Sequence, residues 1–291
     1  MLHFQGIFLA ISRGTIVGCF FLCLYLLFFS AYTRLNIHER FGVFKTAEPT
    51  IHYQTALKNW KIPLMWGIGI TLSSYFLGLK LGDQPKLVFT IPEQYVFLHS
   101  PNFLTDIIYA IVGFYAIDLT DYWAHRLNHR YRILYDRFPF AHFVHHNCVY
   151  LNPLVVASSP PVHLAALSGM LMYVLYLSQG LVTSVTLLHV VKVASNYLSH
   201  QGCDPLPWLS RLNHRVGGWI PWIPLHHQYH HLPFVQTGNY GNVTCLWDYV
   251  FNTVVPECIY HLETGKPTAE VAAKVRDRKK ITEFLTDKTC W

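Results

Sequence analysis

The stretch from Thr15 to Tyr32, TIVGCFFLCLYLLFFSAY, runs 18 residues without a charged side chain. A bilayer core of ~30 Å is crossed by about 20 mainly apolar residues in helical form, because a backbone in lipid has no water to satisfy it. This stretch therefore restricts the chain to membrane architectures unless it is cleaved as a secretory leader. Its length, and a following Thr33-Arg34-Leu35 with no small-residue cleavage pattern, favour an uncleaved helix. Composition agrees. Apolar residues make up 52% of the 291 and charged residues 13%, a charged share about half that of a typical soluble domain. Disorder is excluded on the same grounds, and the length fits one domain or two closely joined ones.

Four more apolar stretches follow: Ile62 to Leu81, Phe103 to Tyr122 with acids at Asp106, Asp118 and Asp121, Pro161 to Ser178, and Leu181 to Leu198. Gln179-Gly180 between the last two reads as the tight turn of an antiparallel helical hairpin. Lys and Arg number five in 33–61, one in 83–102, four in 124–160 and none in the hairpin turn. Basic loops stay on the cytoplasmic side. The expected topology has an outside amino terminus, three crossings, a cytoplasmic histidine-bearing loop, a hairpin dipping into or through the membrane, and a cytoplasmic C-terminal region. The fold class is all-α, an integral membrane helical bundle with a cytoplasmic histidine-rich helical cap. Residues 1–102 form the N-terminal transmembrane region, 103–260 the catalytic segment and 261–291 a charged tail.

The formal net charge is +6, but its Lys and Arg residues sit between apolar runs rather than on one basic stripe. Nucleic acid is thereby excluded as a partner. The seven cysteines show no CxxC pair or bridging framework and are expected as free thiols. Asp118 and Asp121 either partner nearby histidines or emerge into water. The sequon Asn242-Val243-Thr244 is expected to stay unglycosylated on the cytoplasmic side. Ala269 to Leu285 reads as a charged helix, solvated or touching anionic headgroups through Lys274, Arg276, Arg278, Lys279 and Lys280.

Histidine carries the functional signal. Of 18 in the chain, 13 fall between His125 and His231. They stand as His125-Arg-Leu-Asn-His129, His142-Phe-Val-His145-His146 and His227-Gln-Tyr-His230-His231, with Asn196-Tyr-Leu-Ser-His200 between the last two. Residues three and four apart share a helical face, so each cluster is expected to aim its imidazoles at one place, the spacing of metal ligands. One HxxxH is a weak signal, since a buried histidine satisfied by a carbonyl is commoner than a ligand. Three clusters and His200 exceed what one ion with about four to six ligands can use, which argues for two metals. Imidazole suits zinc, copper, nickel and iron alike. No HExxH glutamate and no deaminase-type His-x-Glu with Pro-Cys-x-x-Cys is present, so hydrolysis is disfavoured. An all-nitrogen pair beside lipid-facing helices fits iron activating dioxygen against an unreactive C–H bond.

HxxxH, HxxHH, a later NxxxH and a closing HxxHH, in that order among hydrophobic hairpins, resemble the fatty acid hydroxylase/sterol desaturase superfamily of membrane di-iron enzymes. The resemblance covers Asp118 to Glu257 and extends to His231-Leu-Pro-Phe, Gly238-Asn-Tyr-Gly241, Leu246-Trp-Asp248 and Asn252-Thr-Val-Val-Pro-Glu257. It departs after the second box, where Asn152-Pro-Leu-Val-Val-Ala-Ser-Ser-Pro-Pro-Val stands in place of an acid or His-Pro pair. What it implies is a metal site of two Fe ions held by His125, His129, His142, His145, His146, His200, His227, His230 and His231. Asn196 would lie close to one iron, and Asp121, one turn before His125, would orient a ligand ring. His163 is either a histidine of that set or a helix start, His226 a spare, His189 core or a neighbour of the ligands, and His214 surface.

The resemblance also implies O2 as co-substrate and hydroxylation or desaturation of a lipid, a sterol favoured over a fatty acyl chain, that enters sideways from the membrane. No GxGxxG, haem or four-cysteine signature marks a fused donor domain. Electrons would come from an external donor, a small cytochrome of the b type or a ferredoxin with its reductase. Arg126, Arg130, Arg132 and Arg137 form either its docking surface or a topology signal. The expected location is the endoplasmic reticulum membrane of a eukaryote or the inner membrane of a bacterium, with the active site facing the cytoplasm. The rival class is a histidine-rich membrane metal-binding or transport protein, which needs ligands near the bilayer midplane.

Overall fold

The computed structural model describes residues 103–137, 142–146, 151, 195–196, 198–232 and 238–276, with scattered positions between 8 and 35 and position 68. His163, His189, Cys148, Cys290, the run 62–81, most of the hairpin and residues 277–291 lie outside the described residues. The described part is helical, with no strand among the described residues, and the described positions from Phe8 to Arg34 are helical as well.

Helix α1 (Phe103–Arg130) is 28 residues long, about 42 Å at the α-helical rise. Its first half leaves Ile108, Ile111 and Val112 exposed, while Asp118, Asp121, Tyr122 and His125 of the second half are buried. These buried positions recur at three and four residues, one face of a helix. The acids and histidines on that face break its apolar character. Among the described residues no helix is long and apolar enough to cross a membrane, so the crossing expected over Phe103 to Tyr122 is a helix without the hydropathy of a span.

A π-helical turn (Ile133–Arg137) and the short α2 (His142–His146) fold back onto the end of α1. Then come α3 (Pro207–Arg215), α4 (Pro224–His230), α5 (Leu246–Val250), α6 (Pro256–Thr264) and α7 (Ala269–Arg276). Proline occupies the start of α3, α4 and α6, where its missing N–H costs nothing because the first turn has no partner for it. Every residue of α4 is buried. That helix forms the centre against which α1, α2 and the segment after it close.

Long-range contacts fasten α1 to the C-terminal part. The Tyr115 hydroxyl donates to the Trp219 carbonyl at 2.8 Å, and Tyr122 stacks on Phe251 at 5.3 Å with its hydroxyl 2.9 Å from Thr253 Oγ1. An aromatic pair of this kind adds about 1 kcal/mol beyond its buried area. Asp118 meets Thr244, accepting the hydroxyl in a very short contact and the Thr244 N–H at 3.4 Å. Thr244 and Asn242 are both buried, so the folded sequon offers no acceptor for a glycan. In the described part of the tail, Val271 and Val275, one turn apart on α7, are buried, while Ala269, Glu270 and Ala273 are exposed. Cys203, Cys245 and Cys258 are buried free thiols, with burial pushing Cys203 up to about 12.

Candidate metal centre

Nine histidines meet in two groups. His125, His129, His142, His146 and His230 each bring a ring nitrogen within 4.8 Å of the others, and His145, His200, His227 and His231 do the same. All are buried except His129, which is half-buried. These are the nine positions singled out from the boxes, but the boxes do not each serve one place. A helix turns about 100° per residue, so an i, i+4 pair stays aligned while the residue between them at i+3 points well aside. His142 and His146 accordingly face the first group and His145 the second, whereas His227 and His231 face the second and His230 the first. The two boxes interlock, each lending its aligned pair to one group and its odd ring to the other.

Within the groups, Nε2 atoms face each other. His129 and His142 lie 2.9 Å apart, His142 and His146 3.0 Å, and His146 and His230 3.2 Å. In the second group His145 and His200 lie 3.1 Å apart, and His200 and His227 2.9 Å. The far sides of several rings explain why these contacts are not ordinary hydrogen bonds. The Nδ1 atoms of His125, His200, His227 and His230 sit 2.7, 2.7, 3.1 and 2.8 Å from the carbonyls of Tyr240, Asn196, Gly241 and Gly238. A carbonyl only accepts, so each Nδ1 carries the proton and each neutral ring keeps a lone pair at Nε2. His200 and His227 therefore point two lone pairs at one another across 2.9 Å, which is repulsive unless a cation lies between them. Two nitrogens at right angles around a first-row divalent ion bound at about 2.1 Å stand about 3 Å apart.

Burial keeps the rings neutral. It holds His146, His227 and His231 well below the usual imidazole range, reinforced first by His231, His200 and His145 respectively. His230 is pushed down to about 4 by burial, opposed by its bond to the Gly238 carbonyl. His231 is fully buried, and neither of its ring nitrogens has a hydrogen-bond partner. Such a group costs free energy unless something accepts its lone pair. The donor set, all neutral imidazole nitrogen in two clusters, fits two borderline metal ions such as iron.

Other expected site residues take different parts. Asp121 is buried one turn before His125, and the His125 Nδ1 lies 2.7 Å from the Tyr240 carbonyl. Asn196 supports His200 through its main-chain carbonyl, while its own Oδ1 is buried without a hydrogen-bond partner. His226 joins neither group, its Nε2 lying 2.9 Å from Asp248. His214 is half-buried against Tyr249, with ring centroids 5.4 Å apart.

Sequence reasoning passed over the anchoring carbonyls of Gly238, Tyr240 and Gly241, since a main-chain oxygen leaves no mark in residue identity. The two glycines were the available signal. A Cβ on Gly241 would stand 2.1 Å from the Thr244 carbonyl oxygen, and one on Gly238 2.4 Å from that of Thr253. Only glycine lets this segment lie so close to its neighbours.

The fold and site thus define a helical protein with a bipartite polyhistidine centre. Residues 110–253, about half of the chain, match the fatty acid hydroxylase family. The chain belongs to that family, within the fatty acid hydroxylase/sterol desaturase superfamily, as the histidine boxes indicated. It is a family of iron-using hydroxylase and desaturase oxidoreductases, usually membrane-associated. Comparison with curated proteins and with solved structures finds no match.

Proposed function

We propose that the protein is a membrane di-iron oxidoreductase that uses O2 to hydroxylate or desaturate a lipid, a sterol in preference to a fatty acyl chain. The observation that carries this reading is the pair of buried histidine groups whose lone pairs converge at 2.9–3.2 Å. His125, His129, His142, His146 and His230 would hold one iron, and His145, His200, His227 and His231 the other. Iron at these positions supplies the redox chemistry with O2 that side chains alone cannot perform. Hydroxylation places one oxygen atom of O2 in the product and the other in water, using two electrons and two protons from an external donor. Desaturation removes two hydrogens from the lipid and, with the same two electrons and two protons from the donor, releases both oxygen atoms as water.

The chain's own groups perform the holding. Carbonyls of Gly238, Tyr240, Gly241 and Asn196 fix the proton of four rings at Nδ1 and so keep each Nε2 free for the metal. Tyr135, buried with its ring 5.3 Å from that of His129, walls the first group from water. A small cytochrome of the b type or a ferredoxin with its reductase is the proposed donor, docking on a cytoplasmic face where Arg130 and Arg132 are exposed. The substrate would approach from the bilayer, in the endoplasmic reticulum membrane of a eukaryote or the inner membrane of a bacterium. The sterol preference rests on the closing segment from Gly238 to Glu257. Mass spectrometry of lipids from cells with and without the gene is expected to reveal a product that has gained one oxygen atom or lost two hydrogens. Metal flux into vesicles with no lipid oxidation would instead support a transporter.

A further inference from the structure

The closing segment Gly238-Asn-Tyr-Gly241, the LWD run and the spare histidine of the last box remain without a task in that chemistry. They meet at Asp248, a fully buried carboxylate on α5. Its Oδ1 accepts the Tyr240 N–H at 2.8 Å and the Thr253 hydroxyl at 2.7 Å. Its Oδ2 accepts the Gly241 N–H at 2.8 Å and the Nε2–H of His226 at 2.9 Å. Four donors fill the acceptor sites of one carboxylate. The two amides it grips belong to the residues whose carbonyls seat His125 and His227.

Asn239, at φ 56, locks the other side of the same turn. Its Nδ2 donates to the His226 carbonyl at 2.9 Å, its Oδ1 accepts the Val255 N–H at 2.8 Å, and its own N–H donates to the Thr253 carbonyl at 2.8 Å. His226 is therefore tied to the turn through both main chain and side chain, directly beside ligand-bearing His227.

We infer that Asp248, backed by His226, is a positioning residue for both halves of the metal centre: it sets the turn whose carbonyls orient His125 and His230 in the first group and His227 in the second. The inference rests on the reading of the nine histidines as ligands. Asp248→Asn keeps the shape of the side chain but turns one acceptor into an NH2, so in either orientation a backbone N–H of Tyr240 or Gly241 faces a donor. Changes to groups that orient ligands typically cost roughly 10- to 100-fold in metal affinity.

The test titrates the full-length, metal-free protein in lipid nanodiscs with Co(II) against a competing chelator, reading the number of sites, their affinities and the ligand-field spectrum. Wild type is expected to bind two ions. Asp248→Asn should weaken both sites by roughly 10- to 100-fold, more at the first group where two rings hang on the turn, and alter the spectrum of both. His226→Gln, which can still donate to Oδ2, should stay within a few-fold of wild type, whereas His226→Leu should shift in the direction of Asp248→Asn. Wild-type affinities in Asp248→Asn, or weakening confined to one site, would overturn the inference. If Asp248→Asn fails to fold, equal affinities for the two His226 variants overturn it. A wild-type protein that binds no ion would instead sink the ligand reading and leave the hydrogen-bonded turn as mere scaffold.

Discussion

The two histidine groups are built from nearly the same parts and are held in different ways. Each takes rings from α2 and α4, one box giving its aligned pair and the other its odd ring. The first adds His125 and His129 from α1, and both of its carbonyl-anchored rings, His125 and His230, hang on the 238–241 turn, 115 and eight residues away. The second adds His200, whose anchor is the Asn196 carbonyl four residues back in its own helical turn. Its His231 has no hydrogen bond and rests instead on the ring of His146 at 4.4 Å. The first group thus depends on closure of the whole fold, while the second keeps one ring oriented by purely local geometry. Interlocking α2 and α4 couples them, since neither helix can shift without disturbing both.

The sharpest way to break the comparison is to remove one ring at a time. His146→Ala or His230→Ala should strip the first group and His145→Ala or His231→Ala the second, lowering bound metal from two ions to one while abolishing turnover in all four. Metal-to-protein ratio by elemental analysis checks it, and a fully loaded, active variant would contradict the assignment. Next in size, Gly241→Ala forces a methyl to 2.1 Å from the Thr244 carbonyl oxygen and 2.9 Å from Asp248 Oδ2. Thermal unfolding of the metal-free protein should show a loss of about 3 kcal/mol or more, with affinity falling at both groups, since the same turn seats His125, His230 and His227.

Acid should act through burial. His261, its Nδ1 3.1 Å from the Tyr229 hydroxyl, is held by burial down to about 4 from an ordinary 6.5. Between those values the unfolded chain binds a proton that the folded chain does not. The stabilisation is therefore present above pH 6.5 and is lost as pH falls towards 4. For this ring alone the loss between pH 7 and pH 5 is about 2 kcal/mol. His261→Gln should flatten that acid limb in unfolding measurements at the two pH values. The smallest effect tests the local anchor. Ser199 donates to the Asn196 carbonyl at 2.7 Å beside the His200 bond, and Ser199→Ala should cost about 1 kcal/mol. Its influence on metal affinity should be confined to the second group, and equal weakening of both would remove the distinction between local and long-range anchoring.

Much of the ligand set was legible because imidazole chemistry and helical periodicity both operate along the chain. His125 and His129, four apart on α1, point the same way whatever the rest of the protein does, whereas the HxxHH boxes, expected each to aim at one place, divide between the two groups only in the fold. The partner of Asp118 was not legible. Nothing near it in sequence announces Thr244, 126 residues away, and an acid on a helix face beside histidines reads as their partner until the fold brings a hydroxyl to it. The same holds for the Tyr240 carbonyl, 115 residues from the His125 ring it meets.

Residue types and spacing along the chain determined its helical class, its family and which nine rings were available, because those follow from composition and from a repeat of 3.6 residues. Tertiary structure alone decided how the rings divide into five and four, which main-chain oxygens fix their protons, and that a buried aspartate grips the turn supplying those oxygens. The reason is physical. A carbonyl group is the same in every residue, so its use as an anchor depends on where distant segments come to lie and leaves almost no trace in the order of side chains.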